Sequence, residues 1–275
     1  MPKLPLDSAI VWILDFLAEN FAPLTKAISE VIQLLMGAMV DGLLWMPPGV
    51  LILIIAGLAW KAAGRNVAIF TVLGLSLIWN LELWDPTMDT LALVAIATVI
   101  AVGLGLPIGV FAALSQTAYR VVMPILDFMQ TMPAFVYLIP AIPFFGLGKV
   151  SAIFSTVIFS MPPAIRLTCL GIKQVPTPLI EASDAFGTTR MQKLFKVQLP
   201  LATPTIMAGV NQTIMLALSM VVIAAMIGAK GLGGEVWTGI QRLRPGMAFE
   251  GGIGVVIVAI ILDRITQKLG ARDAK

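Results

Sequence analysis

Histidine is absent, and Cys169 is the only cysteine. That excludes metal sites built on imidazole or paired thiolates, a cysteine–histidine nucleophile and an intrachain disulfide. Charge is also scarce, with Asp, Glu, Lys and Arg at 12% of the chain, whereas soluble domains carry about 25%. Tyr119 and Tyr137 are the only tyrosines, so any aromatic cage must draw on Phe and Trp. A net charge of +3 carries no nucleic-acid implication. What fills the chain instead is hydrocarbon. At 59% hydrophobic residues over 275 positions, it reads as an all-α, polytopic membrane protein. Cys169, beside a basic connection, reads as a buried apolar filler.

The apolar runs predict about seven spans, at 46–59, 67–79, 90–115, 124–145, 150–165, 203–227 and 252–262. Trp45 and Trp60 bracket the first of these like the two edges of a membrane layer. Residues 1–42 are read as amphipathic helices on the membrane surface, because Asp15, Glu19, Glu30 and Asp41 interrupt their apolar face. A first span at 31–44 is the other reading. No cleavage site follows, so a signal peptide is not expected. The remainder, 43–275, is read as one transmembrane domain with a polar connection at 167–202.

Within the spans, Gly103, Gly105 and Pro107 predict a kink or a close packing site. They imitate a dinucleotide fingerprint, but no strand precedes them. Gly148-Lys149 likewise lacks the upstream glycine of a phosphate loop. Pro124, Pro133, Pro140 and Pro143 crowd one span, which must therefore bend or break. Most Lys and Arg fall in alternate connections, placing the N-terminus outside and the C-terminus in the cytoplasm. Lys149, Lys230, Arg242 and Arg244 run against that assignment.

The connection at 167–202 is the most informative stretch. Around it stand Arg166, Lys173, Arg190, Lys193 and Lys196 against Glu181 and Asp184, an excess that predicts a cytoplasmic position. Its apolar residues recur at helical spacing in two pieces, Ile180 to Phe186 and Leu194 to Val197, broken after Gly187. Glu181-Ala182-Ser183 is followed after three residues by Gly187, and after nine more by Val197-x-Leu199-Pro200. This resembles the E-A-A…G…I-x-L-P signature of permease subunits of binding-protein-dependent ABC importers, with Ser for Ala and Val for Ile. A surface helix would not require that spacing. The stretches LDFMQTMPAFVYLIPAIPFFGLGKV, VIFSMPPAIRLTCLGIKQVP and LPLATPTIMAGVNQTIMLALSMVVIAAMIGAKGLG are similar to the glycine betaine and related quaternary-amine branch.

The resemblance implies a type I ABC importer permease fold in a bacterial inner membrane. It also implies a pair of coupling helices that dock on a separate ATPase, with Glu181, Ala182, Ser183, Gly187, Val197, Leu199 and Pro200 as coupling residues. Two permease subunits would pair as a homodimer around a central path. A periplasmic or lipid-anchored binding protein would deliver glycine betaine, choline, carnitine or trimethylamine N-oxide. No nucleotide motif is present in the chain, so no cofactor is expected on it; ATP and Mg would belong to the partner. The tail after Leu262 is too short for a fused binding domain.

Several polar residues fall at span depth. Asp127 either lines the path or makes a packing contact near the headgroups. Asn211 and Gln212 either line the path or join helices. Gln130, Met132 and Phe135 could complete a soft, aromatic lining for a methylammonium group, or simply pack. The glycine-rich GAKGLGG at 228–234 is a gate, a docking loop or a flexible loop. The alternative function, an ion-gradient-driven transporter or channel for a small cation, would place several ionisable groups at midplane, and this chain offers at most Asp127. An intramembrane enzyme would require paired catalytic groups within the spans.

Overall fold

The structure is a computed structural model that describes residues 6–272. Every regular element among them is helical. In lipid this follows from the need to satisfy each backbone donor and acceptor within its own segment. Helices α1 (Leu6–Asn20) and α2 (Ala22–Trp45) lead into a hairpin of α3 (Pro48–Ala63) and α4 (Arg65–Asn80). The 31-residue α5 (Trp84–Leu114) follows. Next come α6 (Gln116–Thr131), a 3₁₀ turn (Ala134–Tyr137) and α7 (Leu138–Phe145). Helices α8 (Lys149–Ser160) and α9 (Pro162–Lys173) precede the short α10 (Thr177–Ala185) and α11 (Arg190–Lys193). A π turn (Leu194–Gln198) then enters α12 (Leu199–Ala225), and α13 (Leu232–Gln241) and α14 (Pro245–Arg272) close the chain.

Five helical segments are long and apolar enough to cross a membrane, or six if the bent pair α6 and α7 counts as one. The all-α polytopic fold is as expected, but the inventory of spans differs from the sequence reading. The two runs expected at 46–59 and 67–79 are helices of 16 residues each, short of the roughly 20 residues a full crossing takes. Helix α2 instead provides a continuous apolar segment of 24 residues. It runs unbroken across residue 42, where the surface region was expected to end, and stops only at Met46-Pro47. The stretch between the spans expected at 203–227 and 252–262 is largely α13 and the start of α14. Leu232 and Gly233 are buried against the bundle.

The prolines act as their positions dictate. Pro162 and Pro163 occupy the first turn of α9, where a missing N–H costs nothing, so α8 and α9 continue as one segment, Lys149–Lys173. Pro133 follows the end of α6 and the chain turns by 112°. Hydroxyls satisfy the carbonyls exposed around that bend: Tyr137 donates to Met129, Ser151 donates to Gly146, and Ser155 donates to Tyr137 at 3.1 Å. This is how a broken helix survives at membrane depth.

Three central helices pack through glycines. A Cβ on Gly109 of α5 would stand 2.7 Å from the Ile165 carbonyl and 2.7 Å from the Thr168 side chain of α9. One on Gly105 would stand 2.9 Å from the Ala164 side chain. On the other flank of α9, Gly171 meets Ala202 and Thr205 of α12, and Gly209 of α12 meets Pro163 and Leu167. Lipid supplies no hydrophobic drive between helices, so close backbone approach is what holds them. Gly103 was expected to share this role, yet nothing lies within 4 Å of its Cβ position. Gly109→Val is therefore expected to destabilise the purified protein by roughly 1–3 kcal/mol, read as a lowered thermal midpoint. Gly103→Ala is expected to shift stability by less than about 1 kcal/mol, in the opposite direction.

Candidate functional site

The segment 167–202 folds as a helical elbow. Pro176 and Pro178 open α10, and its C-terminus is closed by Gly187, whose φ of +72° only glycine adopts freely. The Gly187 N–H donates to Asp184 O at 2.9 Å and the Thr188 N–H to Ser183 O at 3.2 Å, so the last carbonyls of α10 are satisfied. The Thr188 hydroxyl donates to the same Ser183 carbonyl at 2.8 Å. Thr189 and Gln192 then form a reciprocal capping box that starts α11: the Gln192 N–H donates to Thr189 Oγ1 at 3.3 Å, and the Thr189 N–H to Gln192 Oε1 at 2.9 Å. Lys193 Nζ reaches both oxygens of Asp184, at 2.5 and 2.7 Å, and ties the two arms together. With Asp184 half exposed, that tie contributes at most about 1 kcal/mol.

Of the signature residues, Ser183 is buried and donates to Ile180 O at 2.7 Å, whereas Glu181 and Ala182 face outward. Val197 and Leu199 are half-buried in the π turn and at the entry to α12, with Pro200 exposed in the first turn. The apolar face expected over Ile180, Ala182, Ala185 and Phe186 points away from the bundle: only Ile180 is half-buried, and Phe186 is 89% exposed. The anchor is Leu194 instead, 3% exposed, packed with Ile172 of α9 and Ala202 of α12, and flanked by Val110 and Ala113 of α5. The elbow is thus rooted on the three glycine-packed helices. Leu179, Phe186, Met191 and Phe195 leave an apolar rim on its outer surface.

The second group of expected residues divides. Asp127 of α6 accepts a hydrogen bond from Arg166 Nη2 of α9 at 2.6 Å, with the two side chains 64% and 38% exposed. Two turns away, Lys173 Nζ lies 3.3 Å from the Tyr119 ring centroid, a second tie between the same helices. Gln130 and Phe135 are exposed on this stretch, and Met132 sits half-buried at the bend. Asn211 is elsewhere. Its amide donates to Asp263 Oδ1 at 2.9 Å and its carbonyl accepts from the Thr266 hydroxyl at 2.5 Å, fixing α12 to α14. Gln212 points outward next to it. Sequence reasoning missed Arg166 and Asp263 as partners because each lies about forty or more positions from the residue it meets, with no local signal.

At the opposite end of the bundle, Lys149 pairs with Asp89 at 2.7 Å. That pairing accounts for a cation that ran against the charge pattern. GAKGLGG is not a loose loop, since the Leu232 N–H donates to Thr90 Oγ1 at 2.8 Å and Leu232 is fully buried. A cavity of about 620 Å³ lies beside it, with Asp85, Lys230, Glu235 and Trp237 among its lining residues. Among the described residues, no group of three or more His, Cys, Asp or Glu side chains could hold a metal.

Apolar spans clamped around a basic two-helix elbow define the membrane component of a transporter. Residues 105–272 match the family described as binding-protein-dependent transport system inner membrane component, and the chain belongs to it. It is 52% identical over 269 residues to the glycine betaine transport system permease protein OpuAB of Bacillus subtilis, covering 98% of this chain and 95% of the relative. It is 48% identical over 272 residues to the glycine betaine/proline betaine transport system permease protein ProW of Escherichia coli, covering 99% and 77%. A chain of the inward-facing MetNI methionine ABC transporter superposes with a TM-score of 0.61 at 25% identity, over 68% of this chain and 94% of that one. The fold is that of type I ABC importer permeases.

Because nothing lies within 4 Å of the Gly187 Cβ position, the demand there is on backbone conformation rather than space. Gly187→Val, costing about 1–2 kcal/mol in the left-handed region, is expected to abolish uptake with normal membrane insertion. Gly187→Asn, which tolerates that region, is expected to retain most of it. Transport assays on membrane vesicles carrying equal amounts of each variant make the comparison.

Proposed function

We propose that this chain is the permease subunit of an ATP-driven importer for a betaine-like quaternary amine, with glycine betaine as the first substrate to test. The observation that carries the reading is the elbow. Its fold is fixed by Gly187 and the Thr189 cap, its outer rim is apolar and unpaired, and Leu194 roots it in α5, α9 and α12. Such a rim suits a groove on a separate ATPase subunit, which would hold the ATP and Mg. Glu181 and Ala182 then face the ATPase, with Ser183, Val197, Leu199 and Pro200 shaping the elbow behind them.

The subunit works as a homodimer, and a periplasmic or lipid-anchored binding protein delivers substrate at the Lys149 end, where the cavity beside GAKGLGG opens. The elbow lies in the cytoplasm, the N-terminus outside and the C-terminus inside. ATP binding closes the ATPase pair, the elbows move together, and the path changes the side on which it opens. Both relatives carry glycine betaine in their names, which supports the substrate class. Choline, carnitine and trimethylamine N-oxide are the other members of that class.

Along the path, Asp127 is the counter-charge for the passing ammonium group, and Gln130, Met132 and Phe135 line its approach. Charges at this depth are costly unless they face protein or water, and the exposed Asp127–Arg166 pair requires one or the other. Asn211 braces α12 against α14, with Gln212 on the adjoining face.

The test is reconstitution with an ATPase and a binding protein encoded alongside. Uptake of labelled glycine betaine is expected to require ATP and all three components. Uptake by the purified chain alone would overturn the reading in favour of a secondary transporter or channel. Asp127→Asn is expected to slow uptake roughly tenfold, the factor that about 1.4 kcal/mol produces, while binding-protein affinity stays unchanged.

A further inference from the structure

The ion pair between α6 and α9 leaves most of its bonding capacity unused. Arg166 Nη2 donates to Asp127 Oδ1 at 2.6 Å. Arg166 Nε is buried and donates to nothing. A guanidinium carries five N–H donors in a planar fork, and a carboxylate has two oxygens to accept them. The contact therefore engages one corner of the fork and one oxygen. Among the described residues, neither charge has another oppositely charged partner.

Position makes that spare capacity notable. Arg166 belongs to the spanning segment Lys149–Lys173 and stands two turns, about 10 Å, inside its elbow end. Asp127 is exposed and Arg166 half-exposed. Charges at such depth must face water or protein. The balance of charge on the two helices is uneven. Asp127 is the only acid of α6 and α9, whereas Arg120, Arg166 and Lys173 are cations. Lys173 lies over the Tyr119 ring, and Arg120 is exposed two turns before Asp127. A ligand reaching Asp127 thus meets an excess of positive charge around it.

We propose that the Asp127–Arg166 pair opens to take a zwitterion, Asp127 receiving the quaternary ammonium and Arg166 the carboxylate. This rests on the betaine-importer reading and makes Arg166 the residue that distinguishes betaines from plain cations such as choline. Glycine betaine carries both charges on one small frame, so its entry exchanges one ion pair for two and leaves every charge compensated. Choline would occupy Asp127 and leave Arg166 without an anion beside a second cation, an arrangement of like charges that disfavours the wrong ligand. The planar fork of Arg166 matches a carboxylate with two parallel N–H donors, which its contact with Asp127 does not use.

The experiment places the full-length chain with its ATPase subunits in nanodiscs, without binding protein, and measures equilibrium binding of labelled glycine betaine and labelled choline by scintillation proximity. The unaltered assembly is expected to bind glycine betaine about tenfold more tightly than choline. Arg166→Gln is expected to weaken glycine betaine and to strengthen choline, opposite shifts that loss of a merely structural contact would not produce. Arg166→Lys, which keeps the charge without the fork, is expected to retain part of the preference, and it carries the reading if the Gln variant fails to fold. Equal affinities in the unaltered assembly, no binding of glycine betaine, or shifts in the same direction for both ligands would each overturn the proposal. ATP-dependent uptake of glycine betaine, measured in parallel with the binding protein added, separates the two claims. Its presence beside any of those results removes the zwitterion site alone, and its absence in the unaltered assembly removes the importer reading and the site with it.

Discussion

Backbone contact at four glycines is the constraint on which this molecule rests. Gly105 and Gly109 bring α5 onto one flank of α9, and Gly171 and Gly209 bring α12 onto the other. Inside a bilayer the apolar side chains gain nothing by leaving lipid for one another, so dispersion contact at short range must hold the helices. With α9 clamped on two sides, α5, α9 and α12 behave as one block. The Leu194 cluster then attaches the elbow to all three at once. On the proposed reading, a push on the elbow reaches all three helices together.

The seam on the other side of α9 is built differently. Helix α6 is joined to α9 by Lys173 over Tyr119 and by Arg166 on Asp127, both on the open face of the bundle. Immediately beyond, the chain turns through 112°. Contacts of this kind can be exchanged for others of similar energy, whereas the glycine seams cannot be opened without leaving voids. On the proposed reading, the block carries the motion and the α6 seam accommodates it.

Much of this was legible in the sequence. Breakage of the proline-dense span 124–145, though not its position at Pro133, the division of the elbow at Gly187, and the role of small residues around Gly105 follow from backbone chemistry that acts locally. The signature around Glu181 pointed to the family because its spacing is fixed by one turn and one cap. Other features depended on partners remote in the chain. Asp127 was recognisable as a costly charge, but not as the partner of Arg166. Asn211 was recognisable as polar glue or lining, and only the position of Asp263 and Thr266 decides which contact it makes. The apolar stripe of α10 was read correctly as a stripe, yet it faces outward, because periodicity identifies a face without saying what covers it. Lengths failed where apolar runs abutted. The α3–α4 hairpin was read as two crossings, and residues 1–42 as surface helices, with a span at 31–44 as the other reading; α2 is long and apolar enough for such a span.

The central claim is that a second, nucleotide-hydrolysing protein grips the outer rim of the elbow. Cys169 is buried, so a cysteine introduced at Phe186 reports almost alone. The direct measurement is cross-linking of a Phe186→Cys variant in native membranes, with and without ATP. The account predicts a product with an ATPase subunit whose yield changes with nucleotide, and no labelling from the extracytoplasmic face. Labelling from that face, or an elbow that cross-links to no second protein in either state, would contradict it.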